Sequence, residues 1–253
     1  MIDQVRAIYS GFRLQFAESS RSPMTITTSI LQPLAYASLL LLARTSAPPE
    51  YAARVVASTV MMSLWALTLF SAGTALLRDR MAGTIGSILV RPAPIAGVLF
   101  GRSLCVAVVG IVTSGPVTVA VLALGRTHTG LPPVGVSLAL AVVAVLSAAC
   151  VGLLLSALML VTRGAPRLIE ALIYLVFALG GLLVPTELLP TGMRWFAEVV
   201  SLHHVVEMAQ QRALVPSRLA AVAALSAGYL LVGLWVMRGA LRRARREATI
   251  ELT

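Results

Sequence analysis

The chain has 253 residues, 58% of them hydrophobic and only 12% charged, with a mean hydropathy of +0.91; soluble domains carry about 25% charged residues, so lipid must be part of its solvent. The net charge is +10 and every basic residue is arginine, with no lysine, which excludes a G-x-x-x-x-G-K-[ST] phosphate loop and ATP hydrolysis by such a loop on this chain. The arginines are scattered between apolar runs, which suits anionic lipid headgroups and not a nucleic-acid partner, and the length suits several helical spans in one domain, 1–253, without a sizeable soluble unit.

Residues 2–21 come first. Ile2, Val5, Tyr9, Phe12 and Phe16 recur at spacings of three and four, one face of a helix, while Asp3, Arg6, Arg13 and Glu18 fall largely elsewhere. This pattern predicts an interfacial helix lying on the membrane ahead of the first span. It is amphipathic, without the continuous apolar core of a secretory signal.

Six apolar runs follow, at residues 24–43, 55–77, 103–124, 134–162, 168–184 and 219–237. The first three are bracketed by arginines and are each about long enough to cross a ~30 Å hydrocarbon core. The fourth starts after Pro132-Pro133 and is long enough to tilt. The fifth is short, carries Glu170 near its start, and ends in Gly180-Gly181 and Pro185. Glu170 is either a functional intramembrane carboxylate or the partner of Arg163 or Arg167. The sixth precedes Arg238, Arg242, Arg243, Arg245 and Arg246. Six spans with both termini in the cytoplasm put fourteen arginines inside and six outside, the asymmetry the positive-inside rule requires. The expected fold class is an all-α polytopic membrane protein. It has six transmembrane helices, an N-terminal interfacial helix, and re-entrant or amphipathic outer helices between spans five and six.

Polar residues within the early spans, Thr27, Thr28, Gln32, Thr68, Ser71 and Thr74, either line a pathway or bond their own helix carbonyls. Cys105 and Cys150 lie inside apolar runs and read as small hydrophobes. His203 and Glu207 stand one turn apart but lack a third ligand, so no metal site is expected.

Two segments between spans carry a mechanism. The inner loop 78–92, RDRMAGTIGSILVRP, is the most charged of the inner loops between spans. Asp79 precedes the apolar positions Met81, Ile85, Ile88 and Leu89, and Pro92 limits the far end. It is either a short amphipathic helix fit to dock another protein or an ordinary positive-inside loop. The outer segment 185–217 is entered through LLVPTELLP, residues 182–190, and continues with MRWFAEVVSLHHVVEMAQQRAL, which predict helices that dip into the outer leaflet without crossing it.

The inner loop resembles the signature loop of the ABC type-2 transporter permeases, through Asp79, Arg80, Gly83, Thr84, Ile85, Leu89 and Pro92; Gly86 stands where many relatives carry Glu. The outer segment resembles the C-terminal signature of the same family through Gly181, Pro185, Leu189, Pro190, His204, Glu207 and Arg212. The resemblance implies a permease subunit of an exporter in a bacterial cytoplasmic membrane. It pairs with an identical or paralogous permease and with two separate P-loop ATPase subunits, which hold the ATP and Mg; no cofactor and no catalytic residue are expected here. Arg78, Asp79, Arg80, Gly83, Thr84, Ile85, Leu89, Arg91 and Pro92 form the ATPase-docking loop on this reading, and the N-terminal helix also faces the ATPases. The apolar spans suit a hydrophobic or amphiphilic cargo, such as an antibiotic, natural product or lipid-like compound. Alternatives are a polysaccharide or lipid-linked glycan exporter of the same family, for which 6% aromatic residues is low, and an ion-coupled secondary transporter, for which intramembrane carboxylates are too few.

Overall fold

The computed structural model of the chain describes residues 2–21, 23–42, 50–81, 95–124, 132–161, 165–182, 186 and 189–250. All regular structure among them is helical. Helices α1 (Ile2–Arg21), α2 (Pro23–Leu42), α3 (Glu50–Met81), α4 (Ile95–Leu124), α5 (Val134–Val161) and α6 (Ala165–Leu179) come first. A 3-10 turn at Thr191–Met193 leads into α7 (Arg194–Val199), α8 (Ser201–Gln211) and α9 (Pro216–Ile250).

Four helices among the described residues are long and apolar enough to cross a membrane. The stretches are Arg54–Ser71 on α3, Ile95–Val121 on α4, Val134–Met159 on α5 and Pro216–Arg242 on α9. They coincide with the second, third, fourth and sixth apolar runs. The first run forms α2, a 20-residue helix with Pro33 inside it. The fifth forms α6, and its 15 residues rise only about 22 Å, short of a ~30 Å core.

The centre is built by α3, α4 and α5, each packed on the other two. Helix α9 lies along α5, α2 covers α3 and α4, and α8 sits across α3, α5 and α9. Leu64, Leu69, Leu153, Leu202 and Met208 are fully buried where these helices meet. Helix α9 leaves Leu231, Val232 and Trp235 exposed, as a lipid-facing span does.

Helix α1 runs alongside the first half of α4. Its apolar face looks outward: Val5 and Tyr9 are each 63% exposed. A stripe of small and polar residues at four-residue intervals, Ala7, Gly11, Gln15 and Ser19, is buried instead. Lipid tails are as apolar as leucine, so a helix in lipid gains nothing by hiding its apolar face; small residues that let backbones touch win the interface. Gly11 meets the backbone of Val98, and Gly97 and Gly101 on α4 meet Ala7 and the backbone of Ile8.

The structure corrects three boundaries. Arg102, expected in an inner loop, lies two turns inside α4 with only 7% of its surface exposed, and its Nη2 donates to Glu18 Oε1 at 3.3 Å. Arg78 to Met81, expected to begin the inner loop, continue α3 as helix. The outer amphipathic run divides at Val200, whose extended backbone separates α7 from α8.

Candidate functional site

The inner loop falls almost wholly outside the described residues. Arg78, Asp79 and Arg80 occupy the last turn of α3 by backbone alone, and Gly83, Thr84, Ile85, Leu89, Arg91 and Pro92 lie beyond the description.

Two of the polar residues marked for a pathway make bonds within their own helices. Gln32 Nε2 donates to Tyr36 Oη at 2.9 Å within α2, and the Tyr36 ring meets Phe177 of α6 edge-on. Thr68 is buried and donates to Leu64 O at 2.7 Å, the local bond to its own helix. Ser71 is half-buried one turn on, and Thr74 is placed by its helical backbone only.

The outer segment does assemble polar groups. Helix α6 stops at Gly180-Gly181, with Gly181 at φ 70°, a left-handed residue of the kind that commonly ends helices. The chain returns through Pro190, whose carbonyl caps the 3-10 turn by accepting from Met193 N–H at 2.8 Å; Pro185 lies outside the described residues. Helix α8 then places both histidines inside. His203 is 2% exposed, presses its Nδ1 edge on Gly181, and brings Nε2 to 3.3 Å from Glu207 Oε1. Glu207 pairs with Arg218, in the first turn of α9. His204 Nε2 stands 3.0 Å from Glu198 O, and its Nδ1 stands 3.5 Å from Arg218 Nη1. Arg212 closes α8 in the left-handed region at φ 52°, exposed to solvent. A hydroxyl pair, Ser147 to Ser201 at 2.6 Å, ties α8 to α5, and Tyr229 Oη of α9 donates to Val199 O. The network thus joins α6, α7, α8, α9 and α5 around one short helix. Among the described residues no three His, Cys, Asp or Glu side chains gather to hold a metal ion.

Sequence reading missed two parts of this region. Arg218 was only one of the outer arginines; nothing in its spacing from Glu207 announces a pair formed across a turn. The second is a row on α3: Ser58, Thr59, Ser63 and the Trp65 indole are buried, and their polar atoms have no hydrogen-bond partner among the described residues. Elsewhere in the spans, Thr68, Thr113, Ser114, Thr118 and Ser156 all bond a carbonyl four residues back. Arg54, one turn before Ser58, reaches His203 electrostatically.

Burial drives the His203 pKa down from 6.5 to about 4; Glu198 opposes the shift, and Arg218 and Arg54 add to it. Burial also lowers the pKa of His204, against a backbone bond to Glu198 that raises it. A histidine depressed in the folded state takes its proton more readily when unfolded. Stability is therefore full above pH about 6.5 and falls as pH drops toward 4. The melting midpoint of the detergent-solubilised chain is expected to drop over that window more steeply than that of His203→Gln. Equal slopes remove His203 as the cause.

A cavity of about 130 Å³ opens where α1, α2 and α4 diverge, lined by Phe16, Ser19, Ser20, Ser29, Ile30, Val109 and Thr113. Ser20 and Thr113 already bond their own helix carbonyls.

Compared with known proteins, residues 6–212 match the family model described as ABC-2 type transporter. No curated protein matches the chain.

Proposed function

Since the chain belongs to the ABC-2 type transporter family, we propose that it is the membrane permease subunit of an exporter that moves a hydrophobic or amphiphilic compound out of the cytoplasm or inner leaflet. The observation that carries the cargo class is the charge content of the spans. None of the four described spans contains a carboxylate, and their only charged residues, Arg54, Arg102, Arg218, Arg238 and Arg242, sit within about two turns of an end. A route for ions or strongly polar solutes needs charge deeper in the membrane. The absence of lysine leaves no P-loop in this sequence and supports an ATPase on a separate chain, with two such subunits and two permeases in the complex.

On this reading α2 and the fifth apolar run, 168–184, of which α6 is the larger part, complete six spans; α7 and α8 stay in the outer leaflet, and both termini face the cytoplasm of a bacterial cell. The segment 78–92 receives the stroke of the ATPase. A P-loop ATPase encoded in the neighbouring reading frame is the expected partner. Changing Asp79, Arg80 and Leu89 together to alanine is expected to abolish its co-purification with the permease. Undiminished recovery of the ATPase would falsify the docking role. In proteoliposomes holding both subunits, apolar drug-like compounds are expected to stimulate ATP hydrolysis; stimulation by soluble glycans alone favours the polysaccharide alternative.

A further inference from the structure

Helix α8 is held by apolar burial, by the Ser147–Ser201 hydrogen bond to α5 and by an ion pair to the next helix. Glu207 reaches across the turn after Arg212 to Arg218 of α9, and Arg218 also approaches His204. Helix α8 packs on α3, where Arg54 acts on His203 and Ser58 follows one turn later on the same face of the helix. On that face the row Ser58 and Trp65 is closed off from water with its side-chain polar atoms unsatisfied among the described residues. A buried donor without an acceptor is unfavourable and regains its partner when water arrives. The closed arrangement is thus opposed by this row and supported by the ion pair.

We infer that the Glu207–Arg218 pair is the latch of an outer gate: it positions α8 over the outer half of α3, and its release lets α8 lift and hydrate the polar row. Arg218 is a positioning residue for transport and touches no cargo. The inference rests on the exporter reading for its direction, since the outside is the side to which a latch on α8 would open.

The test uses the full chain in intact cells, with Cys105 and Cys150 changed to alanine and a reporter introduced as Ser58→Cys. A membrane-impermeant maleimide is added from outside. With the latch intact, labelling is expected to be slow. Glu207→Gln and Arg218→Gln are each expected to raise the rate about tenfold, while Arg218→Lys, which keeps the charge, stays near the parent. A rate unchanged by both neutral variants overturns the latch. So does an equal rise in Arg218→Lys, because that reports lost packing rather than a lost ion pair. If the neutral variants do not accumulate, the parent and Arg218→Lys are compared at rising salt; a reporter indifferent to salt in both overturns the latch. Accelerated labelling only from the cytoplasmic face of inverted vesicles overturns the outward direction. Failure of the exporter reading shows separately, as a parent chain whose labelling does not respond to ATP when the ATPase is present.

Discussion

Gly101→Leu is expected to detach α1 from the bundle and to leave little folded protein in the membrane. A Cβ built on Gly101 falls 2.0 Å from the carbonyl oxygen of Ile8 and 2.8 Å from its carbonyl carbon. Both are backbone atoms, so no side-chain rotation makes room and the whole helix has to move. Overpacking a tight contact costs about 1–3 kcal/mol even where side chains can adjust. Here displacement also parts Glu18 from Arg102, which is 7% exposed. The Glu18 side chain is 32% exposed, so loss of this pair adds less than the roughly 3–5 kcal/mol of a fully buried one.

The contact itself can be read by cross-linking. The ideal Cβ of Gly97 lies 3.0 Å from the Cβ of Ala7, so cysteines at these two positions need only a small relaxation to reach disulfide geometry. Oxidation is expected to join them in the parent chain and to fail in Gly101→Leu. Gly115 lies on the same helix with nothing within 4 Å of its would-be Cβ. Gly115→Leu is therefore the control, with cross-linking and expression retained. Efficient cross-linking in Gly101→Leu defeats the close-approach argument.

How far the fold was legible depends on the physics behind each feature. The apolar runs on α3, α4, α5 and α9 were readable because each stretch must match the thickness of lipid. The start of α4 was not, because an arginine looked like a loop residue; inside the helix Arg102 meets Glu18, 84 positions away. The face of α1 was visible as a periodicity, but which side it turned to the protein was not. In water the apolar stripe would be buried, whereas here the small stripe Ala7, Gly11, Gln15, Ser19 is. The division of the outer run at Val200 carried no glycine or proline to mark it.

The outer site was half legible. His204 and Glu207 were selected by resemblance, and the structure adds what holds them: Gly181 against His203, and Arg218 against Glu207. Such partners come from tertiary packing, to which spacing along one helix is blind. The unsatisfied row on α3 was invisible for a related reason. Ser58, Thr59 and Ser63 have the same sequence signature as Thr68, and only coordinates separate a hydroxyl that bonds its own helix from one that does not.

Gly181→Ala tests whether the end of α6 and the buried histidine act as one unit. Two effects oppose the new methyl group. At φ 70° an L-residue is strained by about 1–2 kcal/mol. The methyl would also sit 2.5 Å from His203 Nδ1 and 2.9 Å from Cε1, and His203 is enclosed on its other sides. Crowding of that kind adds about 1–3 kcal/mol. A melting midpoint lowered by several degrees is expected, at about 2–4 °C per kcal/mol for a chain of this size. His203→Ala alone opens a cavity and is destabilising in its own right. The double variant is expected to lose less than the two single losses combined, because the imidazole that the methyl strikes is gone while the backbone strain remains. The shortfall is the crowding contribution, about 1–3 kcal/mol. Losses that simply add would show that the methyl group is opposed by backbone conformation alone, and that His203 does not brace the turn through which α6 is joined to α8.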